Sequence, residues 1–310
     1  MKLQLAWSVP VVAAALVLSG CSGGDSESAE SSSESNSSTS AAVATPAVDT
    51  TAETEKAAAD YKAYAIAQAD ELVGAVKVLT DAVRANDLKA AQDAYAPSRM
   101  PWERIEPIAE LIPDVDAKTD SRVDDFSGVD DPEFTGWHRL EYLLFDRNTT
   151  EGGAPFADKL DADIAGLVKE LPNVEVKPIN VANGAAELIE EVSQGKITGE
   201  EERYSKTDLW DFDANLQGSR DAIETLNPAL VKADPALLGK IDSGLDGLFD
   251  TMRPLRQGNG WVPFCVENDQ YPSPRCPSVT VTPEVIDSLK SQLAGLSENL
   301  SQVSGVLGLK

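Results

Sequence analysis

Residues 56–83 read KAAADYKAYAIAQADELVGAVKVLTDAV. Tyr61, Tyr64, Gln68, Leu72, Val76, Leu79 and Val83 recur at steps of three and four, the period that gathers one stripe on an α-helix and turns it toward a core. The same period returns downstream. It predicts a short helix over Leu88–Tyr95 that stops before Pro97, one from Asp131 to about Asp146, and further helices at Ala154–Leu171, Asn180–Gln194, Thr207–Leu226, Asp234–Arg256 and Pro283–Val306. Asp131-Pro132-Glu133, Asp234-Pro235 and Thr282-Pro283-Glu284 each place a capping side chain before a proline, whose missing N–H is harmless in a first turn. Pro101 begins a separate turn in PWERIEP. Strand-like alternation is scarce, with Val279–Thr282 the one short extended candidate. About 250 residues carrying roughly eight helices imply an all-α fold of two adjoining four-helix-type bundles.

Ahead of this domain, residues 1–20 carry one cation, Lys2, and then an apolar run of signal-peptide length, short for a membrane span. The run ends in Leu18-Ser19-Gly20-Cys21, which resembles the bacterial lipobox. On that reading the signal peptide is removed at Cys21, the Cys21 thiol carries a lipid, and the protein is anchored to the cell membrane on its extracytoplasmic side. Residues 21–55 hold no Lys or Arg and little that could form a core, so they are expected to be a disordered acidic tether. The folded domain is assigned to 56–310.

The chain has three cysteines. With Cys21 lipidated, Cys265 and Cys276 remain, close together in a Pro-rich stretch, and are expected to form a disulfide. A formal charge of −26 and the absence of any Lys/Arg cluster exclude nucleic acid as a partner and suit a cation.

His138 is the only histidine. In GWHRLE (136–141) its ring and the Glu141 carboxylate, three residues on, project from one helix face and can share an ion. Glu103 and Glu106 repeat that spacing on a preceding segment, and Asp120, Asp124 and Asp125 follow in a loop. The competing reading makes Glu103 and Glu106 a solvated face paired with Arg99 and Arg104, and H-x-x-E alone is a weak motif.

Several stretches together resemble the imelysin (peptidase M75-like) family: YAPSRMPWERIEPIAE (95–110), DSRVDDF (120–126), DPEFTGWHRLEY (131–142), TGEEERYSKTDLWDFDAN (198–215) and LSQVSGVL (300–307). Within it the likeness is to iron-uptake lipoproteins of the EfeO/EfeM type. The resemblance spans about Lys56 to the end and implies paired helical bundles. It implies a metal site of His138 and Glu141 with Glu103, Glu106, Asp120 and Glu201 as acidic partners. It further implies iron, Fe2+ or Fe3+, as cargo, a membrane permease as recipient and a haem-dependent peroxidase-like partner. Two departures stand out: Lys206 replaces a histidine expected in that family, and the Cys265–Cys276 segment is longer than expected. Nothing before Lys56 supplies the two His and Cys of a cupredoxin site, so the short form lacking that domain is expected.

Carboxylates with one imidazole suit iron, manganese or zinc and offer soft copper(I) little. A metallopeptidase is the main rival, but a single histidine excludes H-E-x-x-H, and catalytic zinc sites commonly use two or three histidines. A metal-independent envelope glycan-binding protein is the third possibility, with Trp102, Trp137 and Trp261 as stacking platforms.

Overall fold

The computed structural model describes residues 48–310. The expected signal peptide, Cys21 and most of the expected tether therefore lie outside the described residues. Helix α1 runs Thr51–Arg84 and starts five residues before Lys56. Thr54, Ala57 and Ala58 are buried and Glu53 pairs with Lys232, so the last residues assigned to the tether already pack as helix. Tyr61, Leu72, Val76, Leu79 and Val83 of the stripe are buried, and Tyr64 and Gln68 are half-buried beside them.

Helix α2, Leu88–Ile105, corrects the expected stop before Pro97, because it continues through both Pro97 and Pro101. Each proline removes a backbone hydrogen bond and normally ends or kinks a helix. Here Tyr95 on one side, and Trp102 and Ile105 on the other, are all fully buried. At about 2 kcal/mol per large apolar side chain, their burial offsets the lost bonds. A 3-10 segment, Glu106–Leu111, leads into α3, Pro113–Thr119.

A second correction concerns Asp131. Its carboxylate accepts the N–H groups of Ser127 and Glu133 and so stabilises a turn, and α4 begins only at Gly136. Helix α4, Gly136–Glu141, then widens into a π-helical turn, Tyr142–Asp146. There follow α5 (Ala154–Glu170), α6 (Pro178–Gln194), α7 (Asp208–Ala233), α8 (Pro235–Met252), α9 (Pro283–Leu300) and α10 (Val303–Val306). Helix α7 runs seven residues beyond its expected end, past Pro228. Val279–Thr282 forms no strand; among the described residues the sheet is one pair, β1 (Arg256–Gln257) and β2 (Gly260–Trp261).

The helices form two adjoining bundles. Helices α1, α2 and α5, with short α3 and α4, make one; α6, α7, α8 and α9 make the other, and α1, α2 and α7 meet along the seam. Backbone-to-backbone contact closes this seam. A Cβ on Gly218 of α7 would lie 2.2 Å from the Arg104 carbonyl oxygen, and one on Gly184 of α6 would lie 1.6 Å from that of Pro107. Only glycine lets the two helices press onto residues 104–107.

Cys265 and Cys276 are disulfide-bonded, with Cα atoms 5.3 Å apart. Closing so short a loop restricts the unfolded chain by about 3 kcal/mol. Trp102 and Trp137 are fully buried and Trp261 is 7% exposed, which removes the stacking platforms that a glycan-binding reading required. Among the described residues no helix is long and apolar enough to cross a membrane.

Candidate metal centre

Helix α2 carries Arg99 and Glu103 one turn apart, and Glu106 follows at the start of the 3-10 segment. This row faces α7, where Asp208, Asp211, Asn215 and Ser219 form a polar stripe at helical spacing, every member of it fully buried. Asp120 enters from the C-terminal cap of α3, His138 and Glu141 from α4, and Lys196, Glu201 and Glu202 from the connection between α6 and α7. Helix α4 can start where it does because Gly136 adopts φ of +77° with its Cα pressed on the Thr119 backbone, next to Asp120.

Arg99 is the hub. Its guanidinium contacts Glu103 and Asp120 closely, and it reaches Glu202 at 2.9 Å, Glu201 at 3.2 Å and Asp211 at 3.4 Å. Lys196, also buried, sits 2.9 Å from Glu106, 3.1 Å from Glu103 and 3.7 Å from Glu201. Arg122 holds the other Glu201 oxygen at 2.5 Å. The Trp102 indole N–H donates to Asp120 Oδ2 at 2.8 Å, and the Asn215 amide donates to Glu103 and Glu106. A burial this deep would protonate isolated carboxyls. It does raise Glu106 and Asp211, each beside Glu103, and it lifts Glu202 to about 8 with help from Glu141. Asp120 escapes: burial works against it, but Arg99 and His138 hold it well below its ordinary value. Lys196 and Arg122 likewise lower Glu201 against burial.

His138 is 2% exposed. Burial disfavours its charged form, yet Asp120 and Glu141 outweigh that and raise it to about 10. Its two nitrogens face different groups. Nδ1 lies 3.4 Å from Glu141 Oε2, while Nε2 lies 3.3 Å from Asp120 Oδ1 and 3.8 Å from Glu201 Oε1 without the alignment of a hydrogen bond. One ligand atom each from Asp120, His138 and Glu201 fall within 4.8 Å of one another, and Glu103, Glu106 and Asp120 form a second such trio.

Six of the eight acidic and imidazole residues singled out in the sequence, Glu103, Glu106, Asp120, His138, Glu141 and Glu201, thus converge. The arrangement differs in one respect from the expected pair sharing one ion: Glu141 faces the ring nitrogen opposite the Asp120–Glu201 side. Its other oxygen accepts the backbone N–H groups of Tyr204 and Ser205 at 2.8 and 2.7 Å. Asp124 and Asp125 stay outside, Asp124 pairing with Arg203 and Asp125 accepting the Arg122 N–H. Lys206, at the expected histidine position, is fully buried and bonds Asp269 at 2.6 Å. Sequence reasoning missed Lys196, Glu202, Asp211 and Asn215, and it saw Arg99 only as a surface ion-pair partner. The stripe 208/211/215/219 was the available signal, since polar residues at helical spacing beside apolar ones mark a wet face or a buried polar one.

Fold and cluster define an all-helical protein with a carboxylate-rich, histidine-bearing centre of the kind that can hold a metal. The imelysin (peptidase M75) family model matches residues 57–272, and the chain belongs to that family. It is 43% identical over 250 residues to "Iron uptake system component EfeO" of Escherichia coli O1:K1, and 42% identical to the proteins of that name from Escherichia coli K12 and Shigella flexneri. Each alignment covers 80% of this chain and 63% of the relative, so the chain spans a little under two thirds of the length of these relatives.

Proposed function

We propose that the chain binds iron as cargo outside the cytoplasm and passes it to a membrane permease of an iron-uptake system, anchored through Cys21 and working beside a haem-dependent peroxidase-like protein. The observation that carries this reading is the buried His138 Nε2, which lacks a hydrogen-bond partner and faces Asp120 and Glu201 within metal-ligand reach. One imidazole with carboxylate oxygens suits a hard to borderline cation, Fe2+ or Fe3+ by preference and zinc as an alternative. Iron itself comes from the name of the relatives. Glu141 orients the ring from Nδ1, as a carboxylate behind a ligating histidine does. Glu103 and Glu106 supply the neighbouring acids.

Arg99 and Lys196 share these same carboxylates. An incoming cation has to compete with two fixed charges, which moderates affinity and suits a donor that must release its cargo. Lys206 stands apart from the centre on Asp269, so it takes no part in the shell.

His138→Ala and Glu141→Ala are each expected to weaken Fe2+ binding roughly a hundredfold with helicity intact. Anaerobic calorimetric titration alongside far-UV circular dichroism reads both. Unchanged titrations in the two variants would remove the metal site.

A further inference from the structure

Three consecutive peptide units, 204 to 206, stand between Glu141 and the disulfide-closed segment. Their inward side is set by the N–H groups of Tyr204 and Ser205, which both donate to Glu141 Oε1. Their outward side is held entirely by the segment 264–276. The Ser273 hydroxyl donates to the Tyr204 carbonyl at 3.1 Å, Arg275 Nε donates to the Ser205 carbonyl at 2.8 Å, and the Phe264 N–H donates to the Lys206 carbonyl at 2.8 Å. The Lys206 ammonium, fully buried, is anchored on Asp269 of the same segment. The Arg275 guanidinium also lies over the Phe145 ring, 4.8 Å from its centroid, on the π-helical turn that follows Glu141. One strap therefore touches both the backbone that clamps Glu141 and the turn that follows it.

A backbone clamp positions a carboxylate only if the backbone itself is fixed. Residues 199–207 lie between helices and include no helical or strand hydrogen-bond ladder to fix them. Lys206 moreover takes φ of +60°, a conformation unfavourable for a residue bearing a Cβ. Within the turn the Lys206 N–H donates to the Glu202 carbonyl at 2.8 Å, and the strap restrains the carbonyls of residues 204–206 that this bond leaves free. We infer that the Cys265–Cys276 strap, through Ser273 and Arg275, positions Glu141 and so sets the orientation of His138 toward its cation. Arg275 and Ser273 are positioning residues: they reach the cation only through the 204–206 backbone, Glu141 and the imidazole. The inference rests on the metal reading proposed above.

The test uses the full chain, with Fe2+ under anaerobic conditions as the probe. Arg275→Ala is expected to weaken binding roughly tenfold and to speed hydrogen exchange at the Tyr204 and Ser205 amides. Arg275→Gln is expected to restore both, because its amide nitrogen stands as many bonds from Cα as Nε does and can donate to the Ser205 carbonyl without the charge. The double variant Cys265→Ser/Cys276→Ser is expected to match Arg275→Ala; if it fails to fold, the Arg275 pair decides. Unchanged affinity in Arg275→Ala while the unaltered protein binds Fe2+ would overturn the inference alone. Failure of the unaltered protein to bind Fe2+ would overturn the metal reading and this inference with it, and the two failures are told apart by that control. Loss of affinity in Arg275→Gln equal to that in Arg275→Ala would also overturn the inference, by showing that charge rather than the hydrogen bond matters.

Discussion

Arg99→Ala is expected to destabilise the folded protein by about 3–5 kcal/mol at neutral pH, the cost of stranding buried carboxylates without their counter-ion. Five carboxylates meet this one guanidinium, and all of the groups are at least nine-tenths buried. Lys196 covers only part of the loss: it pairs with Glu103, Glu106 and Glu201 but not with Asp120, Glu202 or Asp211. A lysine at position 99 would rescue little, since one ammonium cannot replace a planar fork with donors on three edges. Against a typical total of 5–15 kcal/mol, such a loss is readily seen in urea unfolding. The deficit should shrink in acid, where protonated carboxyls no longer need a partner. A change under about 1 kcal/mol at neutral pH would mean that the buried Asp120 carboxylate does not depend on Arg99 as its counter-ion.

The second large effect is on pH. His138 is raised to about 10 from an ordinary value near 6.5, so its stabilising contribution is complete below about pH 6.5 and is lost as pH climbs through 10. That shift corresponds to an upper value on the order of 5 kcal/mol. Burial also raises Glu202 to about 8 and Asp208 to about 7, so stability falls in the same direction from about pH 4 up to those values, where the unfolded chain ionises ahead of the folded one. Asp120 and Glu201 act oppositely: they are held below their ordinary values, so their contribution fades only as pH falls below about 4. Metal-free protein is therefore expected to be most stable in mild acid and to weaken steadily toward pH 10. Cation binding runs the other way. A cation on Nε2 must displace that proton, so affinity should rise about tenfold per pH unit below 10. Denaturation curves and Fe2+ titrations between about pH 6 and pH 9 read the two slopes, and an affinity flat across that range would sink the assignment of His138 as ligand.

Much of the fold was legible because α1 presents its core stripe without interruption, from Tyr61 to Val83. The reading failed where tertiary packing overrode a local signal. Pro97 and Pro101 mark helix ends in isolation, yet Tyr95 and Trp102 carry α2 past them. Asp131 has the composition of a helix cap but caps a turn instead, which delays α4 to Gly136. At the centre, the spacings 103/106 and 138/141 pointed to side chains that the fold brings together, because residues three apart share a helix face. They could not tell that Glu141 would face the opposite ring nitrogen, which depends on where the chain returns at Tyr204. Lys196 was invisible for a related reason: a lysine after Gln194-Gly195 reads as a solvated loop residue, and only the fold reveals that Glu103 and Glu106 lie beside it.

The glycine contacts at the seam bear on which ions the centre can discriminate. With α6 and α7 pressed against the carbonyls of Arg104 and Pro107, the stretch bearing Glu103 and Glu106 has no room to back away. Donors that cannot retreat impose an upper limit on ionic radius. Calcium, which asks for six to eight oxygens at about 2.3–2.6 Å, should be turned away on size even though the acids would welcome its charge, and millimolar calcium should leave an Fe2+ titration of this protein unaltered.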